Sequence, residues 1–206
     1  MTLNSSQYDG LIFDMDGTLI DTMPAHLQAW QATADHFNFP FDGKWLHSMG
    51  GMPSFKIVSE INRRFDLDLN AHQVADHKMH TFAQLADKGG LISATYDIFC
   101  AQLGKKKIAI GTGSQRGSAE NLLAQVEVLD KLDALVTATD VEHHKPHPET
   151  FLRACQLLEL TPKQCVVFED TELGMQAAHA GGMDCVLVTA AGLVFYPVNR
   201  ALTVTA

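Results

Sequence analysis

A short, wholly apolar run that ends in acid constrains this chain more than any other feature: Leu11-Ile12-Phe13 stops at Asp14-Met15-Asp16-Gly17-Thr18-Leu19. Three large hydrophobic residues in a row suit a strand buried on both faces, as in the middle of a parallel sheet. Gly17 punctuates the run. Side chains two apart on an extended chain share a side, so Asp14 and Asp16 are expected to face one centre beyond the strand's C-terminal end, where open α/β sheets bind ligands. An isolated Asp-x-Asp is commonly no more than a helix cap. Placed after a buried strand and followed by Gly-Thr-Leu, it is far more specific.

Beyond Asp21 the rhythm changes. Leu27, Trp30, Ala34 and Phe37 recur at helical spacing behind Pro24, which suits a first turn. Phe55, Val58, Ile61 and Phe65 mark a second amphipathic segment, and Val74, Phe82 and Leu85 a third. No strand-like alternation separates them, so residues 23–89 read as an inserted helical cap. A helix through Tyr96, Phe99 and Leu103, closed by Gly104, begins the return to α/β order. Strands are expected at Lys107 to Gly111, Ala134 to Ala138, Cys165 to Phe168 and Asp184 to Val188. Helices are expected between them, at Ser118 to Val126, Glu149 to Leu158 and Thr171 to Ala180. That alternation predicts a doubly wound, Rossmann-like parallel sheet, built from residues 1–22 and 90–206. Val198 to Ala206 reads equally as a peripheral strand or a frayed tail.

Composition narrows the function. With 206 residues and 46% hydrophobic content the chain can bury a full core. A formal net charge of -9 disfavours a surface that tracks nucleic-acid phosphates. The polar start, Met1 to Tyr8, carries no signal-peptide pattern, and the longest mostly apolar run, Cys185 to Phe195, is shorter than the roughly 20 residues of a membrane span. We expect a cytoplasmic monomer with neither nucleic-acid nor membrane partners. Cys100, Cys155, Cys165 and Cys185 are scattered, with no Cys-x-x-Cys pair, and are expected to be reduced core residues.

Three further stretches bring chemistry to the strand ends. Gly111-Thr112-Gly113-Ser114 places a hydroxyl among bare backbone that an anion can approach. It is not a dinucleotide fingerprint, because Arg116 stands where the third glycine would be. His143-His144-Lys145-Pro146-His147-Pro148 is a stiff loop that can hold Lys145 in place. Its histidines, on extended backbone, are expected to diverge rather than bind zinc. Val166-Val167-Phe168-Glu169-Asp170-Thr171 again ends a buried strand in acid. Taken singly, Asp170 could be a helix cap and Lys145 a solvated loop lysine. Together they gather carboxylates, a hydroxyl and an ammonium on one sheet edge.

In this order, Asp14/Asp16, Thr112, Lys145 and Glu169/Asp170 resemble the four motifs of the haloacid dehalogenase superfamily of phosphohydrolases, and the match spans nearly the whole chain. A cap between the first two motifs is similar to the subclass shared by β-phosphoglucomutase and small sugar phosphatases. Gly111-Thr-Gly-Ser, His143-His-Lys-Pro and Cys165-Val-Val-Phe-Glu-Asp are similar to the segments of bacterial fructose-1-phosphate phosphatases. The resemblance implies a Mg²⁺-dependent phosphatase of small sugar phosphates, working through an aspartyl phosphate. Asp14 would be the nucleophile and Asp16 the acid and base, with a raised pKa when the leaving group departs. Thr112 and Lys145 would hold the phosphoryl oxygens. Asp14, Asp16 through its carbonyl, Asp170 and, in support, Glu169 would hold the metal.

Substrate contacts are expected from Thr22, His26, Gly51, Met52, Lys56, Lys78, Gly113 and Ser114. The plain alternatives are a helix cap for Thr22 and solvated helix positions for His26 and Lys78. Gly50-Gly51 suggests close backbone approach to a ligand, or an unusual turn. A phosphosugar mutase remains the alternative reading. However, Gly50-Gly51-Met52-Pro53-Ser54-Phe55-Lys56 lacks the arginine that would grip a second phosphate bidentately. A Rossmann oxidoreductase and a non-catalytic binding protein are the rivals from other classes.

Overall fold

The computed structural model describes residues 7–198. Strands β1 (Gly10–Phe13), β2 (Lys107–Gly111), β3 (Ala134–Val136), β4 (Cys165–Glu169), β5 (Asp184–Thr189) and β6 (Gly192–Tyr196) form one sheet in the order β3-β2-β1-β4-β5-β6. All neighbours run parallel except β5 and β6. The first strand is thus central, with Phe13 level with Ile110 of β2 on one side and Phe168 of β4 on the other.

Alternation along β1 feeds both faces. Leu11 and Phe13 join a core with Phe99, Ile110, Leu122 and Phe168, under helices α5 (Ser93–Gln102) and α6 (Arg116–Gln125). Ile12 joins the opposite core with Val167, Phe151, Ala154 and Ala177, under α7 (Glu149–Leu157) and α8 (Glu172–Ala180). Phe13 stacks on Phe168 with ring centroids 4.5 Å apart. Burying a phenylalanine of this kind contributes about 2–3 kcal/mol, so the strand that ends at Asp14 is firmly seated.

Between β1 and α5 lie α1 (Met23–Phe37), α2 (Gly43–Ser48), α3 (Ser54–Phe65) and α4 (Ala71–Gln84). They pack around Trp30, Leu46, Val58, Ile61 and Val74, in a hydrophobic cluster of their own. The block begins where Pro24 enters α1 and ends near Gly89, which lies against the carbonyl of Asp21 at a φ of +99°. A β-carbon there would fall 1.8 Å from that oxygen.

Several elements depart from expectation. Helix α2 carries no periodic signal because it is six residues long; the Asp42 side chain starts it by accepting from Trp45 N. The apolar run at Cys185 to Phe195 is a hairpin, with β6 turning back at Gly192 (φ +115°) to cover the edge of β5 antiparallel. Strand β3 ends at Val136, since Thr137 and Asp140 form a reciprocal capping box that starts a 3₁₀ turn. Leu85 lies just past the end of α4, in extended conformation. Cys155, Cys165 and Cys185 are free and buried, but Cys100 is exposed on the outer side of α5. The tail from 199 onward lies outside the described residues. Among the described residues no helix is long and apolar enough to cross a membrane.

Candidate active site

The parallel core brings four loops to one edge. The backbone N–H of Asp14 donates to Phe168 O at 2.9 Å and that of Thr112 to Val136 O at 2.9 Å, so both residues continue their strands by one pairing. Asp14, Thr112, Lys145 and Glu169 are all buried there.

Lys145 is the hub. Its Nζ donates to Asp14 Oδ1 at 2.6 Å and to Glu169 Oε1 at 2.6 Å. Burial alone would lower a lysine pKa, but these two carboxylates outweigh it and push it above the usual range. Lys145 is therefore a permanent ammonium. The far oxygen of Glu169 accepts from the N–H groups of Asp170 and Thr171 and from the Thr171 hydroxyl, each at 2.9 Å. Both oxygens of Glu169 are thus engaged, one in fixing Lys145 and the other at the start of α8. Thr171, not Asp170, caps α8, accepting from Gly174 N.

Asp14 and Asp16 lie beyond the last residue of β1, not on it, and their carboxylates serve opposite sides. Asp14 faces Lys145 in the core. Asp16 accepts from Thr22 Oγ1 at 2.7 Å and Ser114 Oγ at 2.7 Å, with Thr112 Oγ1 at 3.4 Å and His26 Nε2 at 3.2 Å. Burial would raise the Asp16 carboxyl, but hydrogen bonds from His26, Thr22 and Ser114 hold it well below the ordinary range. In this arrangement Asp16 is held in its ionised form.

Thr22 precedes α1 without capping it, since its hydroxyl is turned to Asp16. His26 stacks on Phe82 with centroids 4.1 Å apart, and Lys78 Nζ lies 2.7 Å from His26 Nδ1. An ammonium has no lone pair to offer, so Nδ1 accepts and the proton sits on Nε2, directed at Asp16. Burial and the Lys78 charge lower the His26 pKa, in keeping with a neutral ring. Lys78 is itself only 3% exposed. Neither residue is a solvated helix position.

Asp14, Asp16, Thr112, Gly113 and Ser114 line a cavity of about 360 Å³ whose other wall is the helical block, including His26, Gly51, Met52 and Lys78. Its size falls within the span of about 300–1,000 Å³ usual for small-molecule sites. Lys56, one turn into α3, does not line it. The Gly50-Gly51 pair makes its close approach to protein: Gly51 has a φ of +84°, and a β-carbon on it would lie 3.1 Å from Lys145 Cδ. Sequence reasoning missed Trp30, Ser54, His72, Asp76 and Gln115 on the cavity wall. None has a local signal, because helix periodicity reports a buried face without saying what it borders. It also missed Gly174, whose β-carbon would fall 1.8 Å from the Glu169 carboxylate. A glycine in the first turn of a helix is the signal that could have exposed it.

Asp170 stands beside this centre. It accepts from Thr18 Oγ1 at 3.2 Å, and its Oδ2 would lie 2.3 Å from a β-carbon on Gly17 (φ +85°), so only glycine lets the first loop pass it. Burial, then the charge of Glu169, raises its pKa to about 7. Burial and the charges of Glu169, Asp170 and Asp16 likewise raise that of Asp14, against the pull of Lys145. The cluster holds more negative charge than one ammonium offsets.

A family model described as haloacid dehalogenase-like hydrolase matches residues 11–188. The fructose-1-phosphate phosphatase YqaB of Escherichia coli is 39% identical over 180 residues, covering 87% of this chain and 96% of that protein. The β-phosphoglucomutase of Bacillus subtilis is 28% identical over 182 residues, covering 84% and 80%. Among solved structures, a β-phosphoglucomutase from Clostridium difficile superposes with a TM-score of 0.80 at 25% identity, covering 88% of this chain and 85% of that one. The sheet order, the strand-end carboxylates and these matches agree, and the chain belongs to the haloacid dehalogenase-like hydrolases.

Proposed function

We propose that this protein is a Mg²⁺-dependent phosphatase of small sugar phosphates of the fructose 1-phosphate type, with residues 23–89 as its cap. The observation that carries the reading is the junction of Asp14 and Asp16: one carboxylate is held by the core lysine, and the other, held by Thr22 and Ser114, is also reached by His26 of the helical block, in one cavity.

The donor set fits a hard cation. Asp14 and Asp170 are oxygen ligands in a cluster short of positive charge, the condition under which Mg²⁺ binds through a few carboxylates and waters. Asp14, Asp170 and the main-chain carbonyl of Asp16 would hold it. When bound, Mg²⁺ neutralises charge on the phosphoryl oxygens.

Lys145 fixes Asp14 through Oδ1, leaving the second oxygen to attack phosphorus. The bond from phosphorus to the sugar oxygen breaks, that oxygen takes a proton from Asp16, and an aspartyl phosphate is left on Asp14. Asp16 then takes a proton from water as the water attacks phosphorus, releasing phosphate and restoring Asp14. For the first step Asp16 must be protonated. Ser114 and Thr112 turning from Asp16 to the phosphoryl oxygens, together with the arriving dianion, raise its pKa at that moment.

The cavity wall favours hydrolysis over phosphate transfer between sugar positions. It bears no arginine among the described residues; its one lysine, Lys78, is engaged by His26, and Asp76 adds negative charge. A neutral sugar suits such a wall better than a second phosphate.

The test is a panel of phosphosugars with Mg²⁺, for the parent and Asp14→Asn. Parental turnover of fructose 1-phosphate with none in Asp14→Asn supports the reading. Undiminished p-nitrophenyl phosphate hydrolysis by Asp14→Asn would refute the nucleophile. Glucose 6-phosphate formed from β-glucose 1-phosphate and the 1,6-bisphosphate faster than free phosphate, followed by ³¹P NMR, would refute the phosphatase.

A further inference from the structure

The loop that supplies Lys145 carries more chemistry than the site above uses. Extended backbone would spread its histidines apart, but the folded loop gathers them. His147 N donates to His144 O at 3.0 Å, closing a turn that sets the rings of His143 and His147 with centroids 4.7 Å apart. Glu149, the first residue of α7, reaches back to the same place, where it accepts from Glu142 N at 3.0 Å and His143 N at 2.9 Å. His143 Nδ1 lies 3.0 Å from Glu149 Oε2, and His147 Nδ1 lies 3.9 Å from that oxygen. One donor atom from each of the three side chains is within 4.8 Å of the other two.

We propose that His143, His147 and Glu149 form a binding site for a divalent transition metal of the zinc class, on the solvent side of the loop whose inward residue is Lys145.

Two imidazoles and a carboxylate select zinc, copper or nickel over magnesium, which takes oxygen ligands. Zinc bonds of 2.0–2.1 Å set tetrahedral donors about 3.3 Å apart. The separations of 3.0 and 3.9 Å bracket that value and all three donors lie within 4.8 Å of one another, so modest side-chain adjustment closes the site, with His147 Nδ1 giving up the N–H of Glu149 that it accepts at 3.3 Å. Glu149 is already oriented by main-chain N–H groups, as ligating carboxylates are. Those same donors lower its pKa to about 2, so it is ionised wherever imidazole is neutral. Side-chain exposures of 62% for His143 and 51% for His147 leave room for water in the remaining position.

The experiment is a calorimetric titration of Zn²⁺ into the full chain with Mg²⁺ in large excess, so that the acidic centre is occupied. The parent is expected to take up one equivalent that the double variant His143→Gln/His147→Gln loses, while Mg²⁺-supported hydrolysis of p-nitrophenyl phosphate is unchanged. Each single variant should bind that equivalent at least about tenfold more weakly. No Zn²⁺ uptake by the parent, or a double variant that keeps every equivalent, would overturn the proposal. Should circular dichroism show the double variant unfolded, the single variants decide by the same reading.

Discussion

Gly113 passes so close to Gly51 that a β-carbon on it would lie 2.1 Å from the Gly51 carbonyl oxygen. The loop after β2 and the loop before α3 thus meet backbone to backbone, and both glycines line the cavity with Asp14 and Asp16.

Gly113→Ala should push the two loops apart. The sheet cores and the cluster around Val58 and Ile61 do not depend on this contact, so the melting temperature should stay near that of the parent. Turnover should fall about 100-fold, the penalty for displacing catalytic groups by roughly 1 Å. Steady-state kinetics beside thermal denaturation checks both, and parental turnover would show that the site does not need this contact.

Lys78 should weaken the fold while it serves the site. Burial lowers its pKa from 10.5 to about 8. Below pH 8 it is charged in the folded and the unfolded chain alike, and the folded chain bears the cost of burying the charge. Between pH 8 and 10.5 the unfolded chain binds more protons, so stability rises with pH and the cost fades. Lys78→Met should therefore stabilise the protein by up to about 3 kcal/mol at pH 7, with a gain that shrinks toward pH 10, and should lower turnover. Urea denaturation at the two pH values measures it; a gain independent of pH would show that burial of charge is not the cause.

Lys56 and His26 should separate cleanly. His26 touches Asp16 across the cavity, whereas Lys56 does not line it. On a phosphosugar panel Lys56→Ala should keep the parental rates and selectivity. His26→Ala should lose about 10- to 100-fold in kcat, less than the roughly 100- to 10,000-fold of a group that itself transfers the proton, with a shifted acid limb in the pH profile. Equal effects of the two substitutions would contradict the geometry.

Gly174 faces Glu169, one of the two carboxylates that anchor Lys145. Adding a methyl group there would displace Glu169, and Gly174→Ala should cost about 2–3 kcal/mol through overpacking, although alanine is the better helix former. Activity should fall with it as Lys145 loses one of its two anchors. Denaturation midpoints compared with a Gly117→Ala control, where nothing lies within 4 Å, isolate the effect.

What the sequence by itself determines is local. Leu11-Ile12-Phe13 before Asp14, the glycines around Thr112, the prolines around Lys145 and the acids after Val166-Val167-Phe168 each join a chemical group to a recognisable strand end or stiff loop. From these the parallel sheet and the gathering of carboxylates, hydroxyl and ammonium on one edge are legible. Tertiary structure alone decides which partner each group receives. Lys78 and Lys56 are both lysines on amphipathic helices, yet one is sealed against His26 and Trp30 while the other stays off the cavity. Gly51 meets Gly113 and Lys145 while lining the cavity, Glu169 spends its oxygens on Lys145 and the start of α8, and His143, His147 and Glu149 converge where an extended loop would spread them. The physical reason is range: hydrophobic periodicity and turn chemistry act within a few residues, whereas burial and hydrogen-bond partners depend on which distant segments the packed helices and sheet bring together.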